Sequence, residues 1–197
     1  MPQQIAEPRV NPIDLPWLLP PPENFRSELR ALRASPEWQP ERVRRLAMTS
    51  LNVVQLCDLA ALFAAVPDSN IRGTWLQMSV LTNASTNLLV PAISATAARH
   101  DLFVNVETHP FGSFVQEALD PKSATNTRNN DFILLALDHR AFGFHFQSDE
   151  TSAATVVESA MRTLWALVAS LRGANGAATI IVQTLAPPPE QLFGNLV

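Results

Sequence analysis

Apolar positions along this chain follow one texture up to about residue 70 and another beyond it. In the first part they fall three and four apart. Phe25, Leu29 and Leu32, with Arg26, Arg30 and Arg33 between them, predict an amphipathic helix over about 23–34 that Pro36 ends. A second helix is expected after Pro40. A third, apolar on most sides, is expected from Val53 to Ala65, where the run Pro67-Asp-Ser-Asn breaks it. From Gly73 onward short apolar runs alternate with helical stretches. Trp75–Leu81, Leu102–Val106, Phe132–Leu137 and Thr179–Val182 read as strands, and the polar turn Thr82–Asn87 supplies N-cap residues for a helix through Ile93–Ala98 that either tolerates Pro91 near its start or is kinked by it. Ser113–Leu119 reads as a short helix. Ser152–Arg172 reads as a long one whose Val157, Ala160, Met161, Leu164, Val168 and Leu171 turn one stripe toward a sheet.

The run from Asp131 to Asp138 is apolar without interruption between its two carboxylates, which predicts a strand buried on both faces of a parallel sheet. Strands separated by helical crossovers imply parallel pairing with right-handed connections. The expected architecture is therefore an α/β domain over 71–197, preceded over 1–70 by a proline-rich arm and a small all-helical subdomain. The arm, Pro2 to Pro22, carries Leu15-Pro-Trp-Leu-Leu-Pro-Pro-Pro22, too interrupted for a helix. Trp17, Leu18 and Leu19 are expected to be buried, because such a run left free is adhesive.

Composition narrows the function classes. With 197 residues, 47% hydrophobic and 16% charged, the chain can build one full core with a modest appendage. A net charge of -4 gives no support to a nucleic-acid binder. No apolar run reaches membrane-spanning length and the N-terminus lacks a signal-peptide core, so no membrane partner and a cytoplasmic location are expected. Cys57 is the single cysteine, which excludes intrachain disulfides, and its apolar neighbours Leu56 and Leu59 suggest a small buried hydrophobe. His100, His109, His139 and His145 show no metal-ligand spacing, so no metal site is expected.

Ligands of open α/β sheets bind beyond the carboxyl ends of the strands. Asn83, Ser85, Gly112, Asp138 and His139 are therefore expected to gather at that edge. Each position has two readings. The Thr82–Asn87 turn binds an anion or holds a nucleophilic Ser85, or it only caps a helix. Gly112 donates an oxyanion-hole amide or makes a turn. Asp138 orients a substrate or base, or caps the turn after the strand. In the helical part arginines outnumber glutamates, which makes either a basic face for an acidic partner or a solvated one.

The segments Leu15 to Arg26, Leu89-Val-Pro-Ala-Ile93, Phe111 to Ser123 (Phe-Gly-Ser-Phe-Val-Gln-Glu-Ala-Leu-Asp-Pro-Lys-Ser) and Leu134-Leu-Ala-Leu-Asp138 together resemble the N-terminal region of FkbH-like proteins. The resemblance implies an SGNH-hydrolase-like domain, a three-layer parallel sheet of SGNH-like or flavodoxin-like type, joined in such proteins to a haloacid-dehalogenase-like (HAD) domain. It also implies a role in polyketide-type assembly, loading a glyceryl unit onto an acyl carrier protein. The HAD nucleophile motif Asp-x-Asp-x-Thr/Val is not among these 197 residues. Phosphatase chemistry and its Mg²⁺ would then belong to a HAD-like domain in cis or trans, with no cofactor expected in this chain. By the same resemblance Ser85 occupies the nucleophile position, Gly112 the second-block glycine and Asp138 a third-block aspartate, with Asn83 beside them in the cleft. Yet the Gly-Asp-Ser pattern reads Asn83-Ala84-Ser85, Leu137 stands where an asparagine belongs, and no Asp-x-x-His occurs near the C-terminus. Only His109 and His139 are placed to serve as a base. The expectation is an accessory or docking domain, with Arg26, Arg30 and Arg33 toward the carrier protein, and the alternative is an esterase or acyltransferase using Ser85.

Overall fold

The computed structural model describes residues 17–65, 74–143 and 150–185. Most of the proline-rich arm, the break at Pro67–Gly73, His145 and Pro187–Pro189 lie outside the described residues. Three helices come first: α1 (Phe25–Ala34), α2 (Pro40–Ala47) and α3 (Val53–Ala65). Phe25, Leu29 and Leu32 bury the inner stripe of α1, and its chain turns away at Ser35, just before Pro36. Helix α2 starts on Pro40, where the missing amide hydrogen costs nothing, and carries Glu41 in its first turn and Arg44 and Arg45 in its last, in the sense its dipole favours. Helix α3 opens on a reciprocal cap: the Asn52 amide donates to Gln55 Oε1 at 2.9 Å and the Gln55 amide to Asn52 Oδ1 at 3.0 Å. Cys57 is half-buried on this helix.

The second part runs β1 (Thr74–Thr82), α4 (Leu89–Ala97), a 3-10 turn at Ala98–His100, β2 (Leu102–Thr108), α5 (Phe114–Leu119), α6 (Ala124–Thr127), β3 (Phe132–Ala136), a 3-10 turn at His139–Phe142, α7 (Glu150–Ala174) and β4 (Thr179–Val182). The strands form one parallel sheet in the order β2-β1-β3-β4. This is an α/β fold with helices on both faces of a parallel sheet and further helices before it. The winding reverses between β1 and β3, which makes their carboxyl ends the switch point of the sheet.

Alternation along each strand assigns the two faces. Leu81, Ile133 and Leu135 point to one face, under Phe114 and Ala118 of α5 and Leu167, Val168 and Leu171 of α7. On the other side α4 shares a core with the N-terminal helices, with Ala95 and Ala98 packed among Phe25, Leu29, Leu32, Val43, Leu46, Leu59 and Leu62. Trp38 and Phe63 carry these helices to the edge strand β2 by edge-on contacts with the Phe103 ring, at 5.6 and 5.5 Å between centroids.

Four expectations from the sequence need correction. The two faces of β3 are unequally covered: Ile133 and Leu135 are buried, Phe132 and Leu134 only half so. The α7 stripe is narrower than its apolar residues suggest, since Val157 and Met161 stand exposed on its flank. Helix α4 has no side-chain cap, because Thr82 and Asn83 bond across to Ala136 at the end of β3 and Asp138 after it, and the Ser85 hydroxyl meets the Asn87 amide within the turn. Finally, Trp17 and Leu19 are 74% exposed while Leu18 is half-buried. The main chain holds this segment: the Ser50 amide donates to the Leu19 carbonyl at 2.8 Å and Leu19 forms a parallel bridge with Thr49. The chain turns and bends at Trp17 and Leu18, and with these main-chain bonds fixing the segment at the surface its place does not depend on burying the three side chains together.

Candidate functional site

The register Leu81↔Leu135 and Thr82↔Ala136 sets the carboxyl ends of β1 and β3 side by side. Their next residues lock together. Thr82 donates its hydroxyl to the Ala136 carbonyl at 2.8 Å and accepts from the Ala84 amide at 3.0 Å. Asn83 Nδ2 donates to Asp138 Oδ1 at 2.6 Å, and the Asp138 amide returns a bond to Asn83 Oδ1 at 3.0 Å. Arg140 completes the arrangement, its amide donating to Oδ1 at 2.8 Å and its Nε and Nη2 to Oδ2 at 3.0 and 2.6 Å. The Arg140 side chain, by these bonds above all, holds the Asp138 carboxyl well below the usual carboxylate range; burial opposes the shift, and Asn83 and the Arg140 amide reinforce it.

A carboxylate so committed is a poor proton acceptor at neutral pH, and its geometry is that of a clamp across the switch point. Because its pKa is depressed on folding, the stability Asp138 contributes is present above about pH 4, where an unfolded aspartate is ionised, and is lost as pH falls through the folded value. Asp138→Ala is therefore expected to cost about 1–2 kcal/mol near neutral pH, the modest figure reflecting the solvent around Arg140. Urea unfolding of both proteins between pH 7 and 3 checks this. The difference should shrink on the acid side, and a constant difference would show that the carboxylate's charge is not what matters.

Ser85 lies on the exposed turn after β1, and its Oγ accepts from the Asn87 amide at 3.5 Å. Among the described residues no histidine is hydrogen-bonded to it. His139 follows Asp138 directly, half-buried at the start of the 3-10 turn. Gly112 sits in the exposed turn after β2, with φ of +76° and open space where a side chain would project. That left-handed backbone is what the glycine is needed for. The structure thus joins Asn83 to Asp138 and Arg140, with His139 next in sequence, whereas Gly112 follows the edge strand on the far side of β1.

His109, the other candidate base, is occupied elsewhere. Its Nε2 lies 3.1 Å from Thr125 Oγ1 and its Nδ1 3.4 Å from Glu117 Oε2, while Thr125 donates its own hydroxyl to the same Glu117 oxygen at 3.1 Å. The three groups form a closed triangle, not a line from nucleophile to base to acid, and Thr125 is fully buried. Asn130 extends the knot, accepting from the buried Ser79 hydroxyl at 2.9 Å and donating to the Thr125 carbonyl at 2.9 Å. No local sequence pattern groups Glu117, Thr125, Asn130 and Ser79. The one signal in the chain is a serine in the middle of the apolar β1 run.

The N-terminal arginines divide into paired and unpaired. Arg42 meets Glu28 and Arg44 meets Asp101, each at 3.2 Å, and Arg33 donates to the Asp58 carbonyl at 3.2 Å. Arg26 and Arg30 are exposed and form no ion pair among the described residues. With Leu29, Arg33, Val54 and Asp58 they line a groove of about 250 Å³ between α1 and α3. Among the described residues no three His, Cys, Asp or Glu side chains are grouped to hold a metal ion, and no helix is long and apolar enough to cross a membrane.

No family model matches the chain, and no curated protein matches it. Among solved structures it is similar to the N-terminal part of the protein BF1531 from Bacteroides fragilis, described as containing a phosphatase domain complexed with Mg. The two share 11% identity at a TM-score of 0.52, over 80% of this chain and 36% of that one. At that identity the likeness is one of fold. The chain matches little more than a third of the solved protein's length.

Proposed function

We propose that this chain is the accessory, docking part of an FkbH-like system that loads a glyceryl-type unit onto an acyl carrier protein. The carrying observation is the committed state of the switch-point carboxylate. Asp138 spends its acceptor capacity on Asn83 and Arg140, and Ser85 meets an amide instead of a base, so the sheet edge is held together without being armed for acyl transfer. The fold shared with the N-terminal part of a protein containing a phosphatase domain supports the same reading. Phosphate removal and Mg²⁺ would then reside in a HAD-like partner domain, in cis or trans, and this chain would need no cofactor of its own. On this reading the docking face lies on the helical part over 1–70, a cytoplasmic location suits it, and Arg26, Arg30 and Arg33 suit the acidic surface expected of a carrier protein.

Two measurements test it. Hydrolysis of aryl esters and phosphate monoesters by the purified chain should not exceed that of a Ser85→Ala control. Titration with the carrier protein from the same biosynthetic locus should show binding that Arg26→Glu with Arg30→Glu weakens by about tenfold, more strongly at low salt. Ester turnover that vanishes in Ser85→Ala would favour the alternative, an SGNH-like esterase or acyltransferase in which Asn83, Gly112, Asp138 and His139 shape the cleft. Unchanged carrier affinity across the arginine pair would remove the docking face.

A further inference from the structure

Helix α7 buries one stripe against the sheet and leaves the next one bare. Val157, Met161 and Trp165, one turn apart, are exposed beside the buried Ala160, Leu167, Val168 and Leu171, and Trp165 is 61% exposed. An apolar row of this kind marks a contact surface. The path of the chain says which way it looks. Helices α5 and α7 share one face of the sheet, and the strand order puts α5 on the β1 side of α7. With right-handed crossovers, a right-handed helix running back over β3 and β4 turns residues 157, 161 and 165 away from α5 and outward past β4. There the sheet ends. The Thr179 and Gln183 amides donate to the Asp131 and Leu135 carbonyls at 2.9 and 3.0 Å, so the amides of Ile180 and Val182 point outward. No further strand pairs with β4 among the described residues. Val182 stands exposed on the α7 side, while Ile181 faces the other way, over an apolar groove of about 370 Å³ beside α4.

We propose that this edge is the interface of a two-fold dimer, in which α7 packs antiparallel on α7 of a second copy while the two β4 strands lie antiparallel side by side. The charges select a second copy over a different partner. Glu158, Trp165 and Arg172 are spaced by seven, so they share one line along the exposed flank, and neither Glu158 nor Arg172 forms an ion pair among the described residues. Trp165 lies midway between them. A two-fold axis at its level therefore brings each Glu158 to Arg172 of the second copy, which makes the flank complementary to itself in charge as well as apolar at its centre. The strand fits the same axis. Trp165 stands about 14 Å from the end of α7 and Val182 about 10 Å from the start of β4, so the two lie within about one helical turn of the same level.

Sedimentation velocity of the full chain over a concentration series tests the interface. The unaltered chain should form a dimer in the micromolar range, as a patch at the small end of specific interfaces allows, and Trp165→Ala should weaken association about thirtyfold. Glu158→Arg and Arg172→Glu should each weaken self-association about tenfold, because each sets like charges against one another at both ends. Mixed together, these two variants should pair with one another as tightly as the unaltered chain does with itself, since every contact then joins opposite signs. A misfolded variant could not regain pairing in this way. A chain monomeric throughout the series would overturn the proposal and leave the flank to a different protein. A dimer indifferent to Trp165→Ala would overturn it too, as would a mixture no tighter than either variant alone.

Discussion

Leu135→Ala is expected to destabilise the protein by about 2–5 kcal/mol, the usual cost of an unfilled cavity left by a core leucine. Leu135 has no exposure, stands on the central strand β3, and shares its core with Leu81 of β1 and Leu167 and Leu171 of α7. Of a domain's total stability of about 5–15 kcal/mol, such a loss is a large part. In thermal unfolding it corresponds to a fall of roughly 5–15 °C for a chain of this size. The neighbouring Leu134, only half-buried on the other face, sets the contrast, and its alanine variant should cost clearly less. Equal effects at the two positions would show that α7 does not make the two faces of β3 unequal.

Asn130→Ala is expected to cost about 2–4 kcal/mol, more than the volume removed would explain, because it leaves a buried hydroxyl and a buried carbonyl without partners. Ser79 loses its acceptor and the Thr125 carbonyl its donor. Asn130→Asp separates the polar role from the steric one. It keeps the shape and the acceptor for Ser79, but it sets a carboxylate oxygen against the Thr125 carbonyl, so it should be about as harmful as alanine. Because Thr125 is tied to Glu117 and His109, the loss should also loosen α5 and α6, which hydrogen exchange of their amides reads directly. Near-native stability of Asn130→Asp would mean that the knot is not carried by directed hydrogen bonds.

The elements were legible in the sequence wherever one period dominated. Helix α1 follows from Phe25, Leu29 and Leu32, and β4 from four consecutive β-formers between turn residues, because burying one stripe or one run is a local pattern. Parallel pairing was legible for the same reason, since helices between strands leave few other connections. The site was legible only as an address. That Asn83 and Asp138 come together follows from both residues succeeding strands that prove adjacent. What they do there depends on Arg140 folding back onto the carboxylate, which the spacing of residues does not encode.

Sequence by itself determined the succession of helices and strands, the parallel sense of the sheet and the placement of its loops at one edge, all consequences of short-range periodicity and chain connectivity. Tertiary structure decided the strand order β2-β1-β3-β4, the knot that joins Ser79, Asn130, Thr125, His109 and Glu117, and the open groove beside α4. It also decided that Trp17 and Leu19 stay exposed while main-chain bonds to Ser50 and Thr49 hold their segment. The physical reason is common to all four: each depends on polar partners or covering surfaces supplied by residues distant in sequence, and no local pattern records which distant groups will arrive.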